Sequence, residues 1–261
     1  MYPFLLKFDH ITIYTVSVFH TLALYVGAVW VYVYSIKAGM DKDKIMNLIT
    51  IELFLAVFGA RVFSILFDGY IEQYLAHPIE MFELWRGGFT FYGGFVFGLA
   101  GGIWYIKKHK LDIWRLADLF APALALGLSI GRIGCFMSGD SYGKPTNLPW
   151  AVTFTNPNSM APTGVPLHPT QIYSVISNLS IFIFLLFWKK RQKFTGELFI
   201  VFLILYSITR SFIEIFRNDP RGVYFNGMIS TSQIISIIVI VAAILFYYKE
   251  NNSMKHELKM K

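Results

Sequence analysis

The sequence predicts an all-α integral membrane protein with seven transmembrane helices, and three observations predict it. Of its 261 residues, 55% are hydrophobic and only 15% charged, against roughly a quarter charged in soluble domains. Mean hydropathy is +0.52. The apolar residues gather into seven runs, each near the ~20 residues that span a hydrocarbon core. The charges lie mostly in short segments between the runs, so the net charge of +7 reads as an orientation signal and not as a nucleic-acid surface. The chain, residues 1–261, is expected to be a single polytopic membrane domain.

Residues 1–13 are mixed, with Lys7 and Asp9 as fixed charges. The first apolar run, about 14–36, is longer than a signal-peptide core and has no basic start, so it is expected to remain as a helix. The others fall at about 46–68, 89–106, 113–136, 170–188, 197–216 and 229–248. In the third run Gly94, Gly98 and Gly102 recur every four residues, a spacing that lets a neighbouring helix pack closely.

An odd number of spans puts the two ends on opposite sides. Fifteen basic residues share one side: Lys37, Lys42, Lys44, Lys107, Lys108, Lys110, Arg115, Lys189, Lys190, Arg191, Lys193, Lys249, Lys255, Lys259 and Lys261. The other side has Lys7, Arg86, Lys144 and Arg221, with Arg132 and Arg217 at helix ends. The positive-inside rule then places the N-terminus outside and the C-terminus, with a frayed tail at 249–261, in the cytoplasm. Of the outer loops, 69–88 is mildly acidic (Glu72, Glu80, Glu83) and brings Trp85 to the interface. Loop 137–169 holds Pro145, Pro149, Pro157, Pro162, Pro166 and Pro169, which forbid a long helix there. It is expected to form a small outer lobe between spans four and five, with strand-like residues at Trp150–Thr155.

The chemistry concentrates at the outer ends of the spans. In Gly127–Thr146 an apolar pattern meets Arg132 before the membrane ends, and an intramembrane arginine is a functional hypothesis by default. Arg210, Glu214 and Arg217 stand at i, i+4 and i+7 and are expected to share a helical face. One glutamate does not neutralise two arginines, so the face is either a helix-locking ion pair or an anion site. Arg61 sits at the same depth and is read either as a third anion ligand or as a partner of Asp68. Guanidinium groups match phosphate oxygens bidentately, which points to a phosphate-headed amphiphile.

Around these lie polar residues with two readings each. Tyr92, in Gly87–Gly94, either faces the site or belongs to an interfacial aromatic belt. His168 and Gln171, in Leu167–Tyr173, either cap the fifth span or hydrogen-bond a substrate. His20 is a proton carrier or a satisfied buried histidine. Asp140, close to Gly143, neutralises an arginine or forms a turn. Asp118 is assigned to structure. Cys135 is the sole cysteine, which rules out an internal disulfide and a cysteine-built metal site. No base stands beside it in sequence, so it is not the expected nucleophile.

Taken together, the Gly-Gly-Phe-Thr-Phe-Tyr-Gly-Gly turn, Gly-Arg-Ile-Gly-Cys-Phe, His-Pro-Thr-Gln-Ile-Tyr and Arg-Ser-Phe-Ile-Glu-Ile-Phe-Arg resemble the prolipoprotein diacylglyceryl transferase family over nearly the full length. The resemblance implies transfer of a diacylglyceryl group from phosphatidylglycerol to the lipobox cysteine of a prolipoprotein. A thioether forms and glycerol phosphate leaves, at the outer leaflet of the bacterial cytoplasmic (inner) membrane, with no metal and no organic cofactor. The family's signature arginines fall on Arg132 and Arg210, and its associated glutamate and arginine on Glu214 and Arg217. Tyr92 or His20 is expected to assist the thiol, with Asp140, Gly143, Arg61, His168 and Gln171 on the substrate side. The chain departs from many members at Cys135 (asparagine), Asp140 (glutamate), Tyr92 (histidine in some), His20 (tyrosine) and Ser174 (glutamate). A lipid-binding or transport protein is the competing reading, although no repeated halves are found; an inactive relative that only holds lipid is the third.

Overall fold

A computed structural model describes residues 1–8, 12–69, 71–82, 88–218, 223–224 and 229–259. Asp9, Glu83, Trp85, Arg86, Gly87, Arg221 and Lys261, named above, lie outside the described residues. The chain is mostly helical. A hairpin, β1 (Phe4–Lys7) and β2 (Thr12–Tyr14), leads into α1 (Thr15–Lys37). Then come α2 (Lys42–Phe67), the short α3 (Ile71–Ala76) with a 3-10 turn at Pro78–Phe82, α4 (Phe91–Lys108) and α5 (Ile113–Ser138). The strand pair β3 (Val152–Thr153) and β4 (Pro166–Leu167) precedes α6 (Thr170–Trp188) and α7 (Glu197–Glu214). A last pair, β5 (Val223–Tyr224) and β6 (Ile229–Ser230), opens α8 (Thr231–Lys259).

Helices form at all seven expected runs, the first six within a few residues of the expected bounds. The last runs on to Lys259, so residues 249–259 continue α8 as helix and are not the frayed tail the sequence suggests. Among the described residues five stretches, Thr15–Lys37, Lys42–Phe67, Ile113–Ser138, Thr170–Arg191 and Thr231–Asn252, are long and apolar enough to cross a membrane. The two remaining long helices differ in composition. Helix α4 carries five glycines and ends in Lys107-Lys108, and α7 carries Glu197, Arg210 and Glu214.

Local chemistry sets the helix starts. Asp41 caps α2, accepting from the amides of Asp43 (2.9 Å) and Lys44 (3.0 Å), and the Lys44 amide holds its carboxyl below the usual range. Asp112 caps α5, accepting from the amides of Trp114 and Arg115. Helix α8 opens on a reciprocal capping box: the Ser230 amide donates to Gln233 Oε1 (2.9 Å) and the Gln233 amide to Ser230 Oγ (3.3 Å).

The chain divides into two compact units, residues 32–116 and residues 1–31 with 117–261. In the first, α2 and α4 pack along a glycine seam. A Cβ on Gly94 would stand 3.0 Å from the Ala56 carbonyl oxygen, and one on Gly98 3.4 Å from Ala56 Cβ. At Gly93 and Gly102 a Cβ would overlap the Gly59 carbonyl and the Glu52 carboxyl. Lipid tails are as apolar as the helices, so close packing of this kind is what holds such helices together. Arg61, buried in this unit, donates through Nε to the Met81 carbonyl (3.0 Å) and through Nη2 and Nη1 to those of Glu80 (2.6 Å) and Gly88 (3.2 Å). Tyr74 and Phe89 cover its guanidinium. Asp68 meanwhile accepts from the Thr90 hydroxyl at 2.7 Å.

In the second unit the apolar core joins Ala121 and Ala125 of α5, Ile181 and Leu185 of α6, and Leu198 and Phe202 of α7. Asp118 is structural, as expected. From α5 it accepts from the amides of Gly196 (2.6 Å) and Phe199 (3.1 Å) and from Gln192 Nε2 (2.5 Å), tying down the start of α7. On another face of α5, Gly127 and Gly134 press against Ala23, Phe19 and Val16 of α1.

Replacing Gly93 with alanine is expected to overpack the α2–α4 seam, a change that costs about 1–3 kcal/mol. Gly27→Ala, where the nearest atom to an added Cβ is 4.0 Å away, is expected to be neutral. Thermal unfolding in detergent reads the contrast, and equal Tm values for the two variants would contradict the seam.

Candidate functional site

Opposite ends of the same three helices make the apolar core and the polar site. Along α6 the buried positions are Thr170, Gln171, Ser174, Asn178, Ile181 and Leu185, a stripe at helical spacing that turns from polar to apolar. Helix α5 behaves likewise. Ser129, one turn before Arg132, donates to the Val175 carbonyl of α6 at 3.1 Å, so Arg132 shares the face turned toward α6. Arg132 and Arg210 line one small polar pocket with Ser174, Ser177, Asn178, Tyr206, Thr209 and Ile213.

The cations are held differently. Arg210 Nη1 meets Glu214 Oε2 at 2.5 Å. Arg217 does not continue the helical face expected from its spacing, because α7 ends at Glu214. Its backbone instead bridges to Gly143, framed by the Lys144 amide on the Phe216 carbonyl (2.7 Å) and the Asn218 amide on the Tyr142 carbonyl (3.2 Å). Even so, its Nε lies 3.8 Å from Glu214 Oε2, and both side chains are buried. Arg132 donates through Nη1 to the Ser141 hydroxyl at 3.1 Å. That partner is neutral, so among the described residues no carboxylate balances this guanidinium within ion-pair distance.

The outer loop serves as the mount for these groups. Ser141 takes a left-handed conformation (φ 61°), uncommon for a residue with a Cβ, and is buried. The Thr170 hydroxyl donates to its carbonyl at 2.7 Å and Gln171 Nε2 to the Asp140 carbonyl at 2.7 Å, so the first turn of α6 clamps residues 140–141. Phe154, Ala161 and Leu167 form a small core for the loop, packed against Met1, Tyr142, Val152 and Val165. Gly143 sits where a Cβ would overlap the His168 carbonyl and come within 3.0 Å of the Phe216 carbonyl oxygen.

Of the residues singled out from sequence, Arg132, Arg210, Glu214 and Arg217 are joined by pocket and ion pairs. His20 lies close by, its imidazole Cδ2 3.2 Å from where a Gly131 Cβ would stand. His168 is a joint: its amide donates to the Lys144 carbonyl (3.0 Å), its Nδ1 lies 3.1 Å from the Tyr173 hydroxyl and its ring packs on Phe216. Gln171 reaches the loop through Nε2, while its buried Oε1 has no hydrogen-bond partner among the described residues. Asp140 is half-buried and faces the buried Cys135 thiol, which is not part of the pocket lining. Tyr92 and Arg61 belong to the other unit, where Tyr92 is exposed and stacks edge-on with Phe91. Ser141, Ser177, Asn178, Tyr206 and Thr209 escaped sequence reasoning; the recurrence of polar residues at 171, 174 and 178 was the available signal. No cluster among the described residues is built to hold a metal ion.

The model of the family described as prolipoprotein diacylglyceryl transferase matches residues 3–249. The chain belongs to that family. Relatives named phosphatidylglycerol–prolipoprotein diacylglyceryl transferase include one from Clostridium tetani, 35% identical over 91% of this chain and 93% of the relative. A second, from Clostridium perfringens, is 36% identical over 77% of each chain, and one from Finegoldia magna is 33% identical over 81% and 82%. With its apolar helices and this membership, the protein is a multi-pass membrane protein of the transferase family.

Gly143→Ala is expected to push the loop away from His168 and Phe216. A lower Tm and faster proteolysis within 144–165 are the expected result; wild-type values for both would contradict the close approach.

Proposed function

We propose that the protein transfers the diacylglyceryl group of phosphatidylglycerol to the lipobox cysteine thiol of prolipoproteins, forming a thioether and releasing glycerol phosphate. The observation that carries this reading is the single pocket lined by Arg132 of α5 and Arg210 of α7. Two guanidinium groups from different helices suit the phosphate diester, with Glu214 orienting Arg210 and Arg217 adding positive field. The client's own cysteine, delivered on its signal helix, attacks the diacylglycerol carbon that bears the phosphate oxygen. The S–C bond forms as the C–O bond breaks, the electron pair leaves with the phosphate, and the thiol proton passes to a base. Donors fixed where the phosphate gains charge are commonly the largest catalytic contribution. His20, beside Gly131, is the proposed proton acceptor. Asp140, Gly143, His168 and Gln171 act by holding the loop that positions Arg132, and Arg61 is proposed to hold the carbonyls of Glu80, Met81 and Gly88.

In the proposed topology all seven long helices cross the bacterial cytoplasmic membrane, N-terminus outside and C-terminus inside. The asymmetry of the basic loops supports this. So does the packing of Met1 against the 152–167 lobe, which brings the chain start and the loop after α5 to the same end of their unit. The site then faces the outer leaflet, where a lipid headgroup and a translocated signal peptide meet.

Purified protein, phosphatidylglycerol and a lipobox peptide should give a peptide heavier by one diacylglyceryl group. Arg132→Gln and Arg210→Gln are each expected to slow that transfer by at least about 100-fold. Tm is expected to stay little changed in Arg132→Gln, whose partner is a neutral hydroxyl, and to fall in Arg210→Gln, which leaves Glu214 without its nearer cation. Wild-type transfer by either variant would remove that arginine from the chemistry.

A further inference from the structure

The pocket has a side that phosphate chemistry does not use. Asn178, on α6, is only 4% exposed, yet it lines the pocket and its amide makes no hydrogen bond among the described residues. An amide at the pocket wall with no protein partner is left to hydrogen-bond whatever enters the pocket. Its neighbours have already committed their hydrogens. The Ser174 hydroxyl donates to the Thr170 carbonyl (2.8 Å), that of Ser177 to the Ser174 carbonyl (3.2 Å) and that of Thr209 to the Leu205 carbonyl (3.0 Å). Their lone pairs remain, so with the Tyr206 side chain in the lining the wall offers these acceptors, a phenolic hydroxyl and one amide that both donates and accepts. With Arg132 and Arg210 beside it, this wall disfavours an ammonium group. It suits neutral hydroxyl groups on a carbon chain attached to the phosphate.

We propose that Asn178, with Ser174, Ser177 and Thr209, forms the subsite for the terminal glycerol of the lipid headgroup and selects a neutral polyol there. Asn178 Nδ2 donates to one glycerol hydroxyl and Oδ1 accepts from the other. The inference rests on the lipid-transfer reading above and adds a specificity determinant to it.

The test compares lipids with identical acyl chains and different headgroups: phosphatidylglycerol, phosphatidylpropanol, which keeps the phosphate and lacks both hydroxyls, and phosphatidylethanolamine. Binding to full-length protein is read by competition against a labelled lipid, without peptide, so failed binding selectivity is separable from failed transfer. Wild type is expected to prefer phosphatidylglycerol over phosphatidylpropanol by about 30-fold, the scale of hydrogen bonds to otherwise unsatisfied buried groups. Asn178→Leu should cut that preference below about threefold while phosphatidylpropanol binds as before. The wild-type lipid series stands even if the variant folds poorly. Equal wild-type binding of the two lipids would overturn the subsite. So would an unchanged preference in Asn178→Leu, an equal loss of both lipids in a folded variant, or phosphatidylethanolamine binding as tightly as phosphatidylglycerol. Absence of peptide modification by wild type, with lipid selectivity intact, would instead count against the transfer reaction.

Discussion

A guanidinium group in an apolar surround must be compensated, and that constraint organises the polar end of the larger unit. Glu214 meets two of these groups, Arg210 at 2.5 Å and Arg217 at 3.8 Å. Arg132, from another helix, is met by a neutral hydroxyl. Removing one partner of a buried ion pair is strongly destabilising. In the proposed reaction the lipid phosphate is the anion that Arg132 and Arg210 meet.

Everything around those groups fixes their direction. The glycine face of α5 lets α1 approach, which leaves the face with Ser129 and Arg132 to α6. Thr170 and Gln171 hold the carbonyls of Ser141 and Asp140, so that the Ser141 hydroxyl stays under Arg132 despite its left-handed backbone. Gly143 lets the loop, the start of α6 and the end of α7 meet at one point. At the far end Asp118 anchors α7 through its first amides. Rotating α7 by one residue would carry Arg210 about 100° around the axis and out of the pocket, so this anchoring bears directly on the site.

Much of this was legible in the sequence because it is local. Apolar run length sets the long helices, and the i, i+4 spacing of Arg210 and Glu214 foretells their ion pair. The Gly94, Gly98 and Gly102 repeat foretells a packing seam, which α2 fills. What escaped depends on contacts far apart in the chain. Arg217 was expected to prolong the helical face, but pairing of its backbone with Gly143 ends the helix before it. Arg61 was expected to meet an anion or Asp68, whereas its donors reach carbonyls some twenty residues on. Ser141 looks like an ordinary turn residue until Arg132 is seen above it. Asn178 looks like an isolated polar residue until α7 and α5 close the pocket around it.

The most direct measurement is an experimental structure of the protein with phosphatidylglycerol bound. The expected result is one headgroup whose phosphate oxygens lie about 3 Å from the guanidinium nitrogens of both Arg132 and Arg210. A headgroup phosphate bound away from this pair, or held by only one of the two, would contradict the shared-phosphate mechanism.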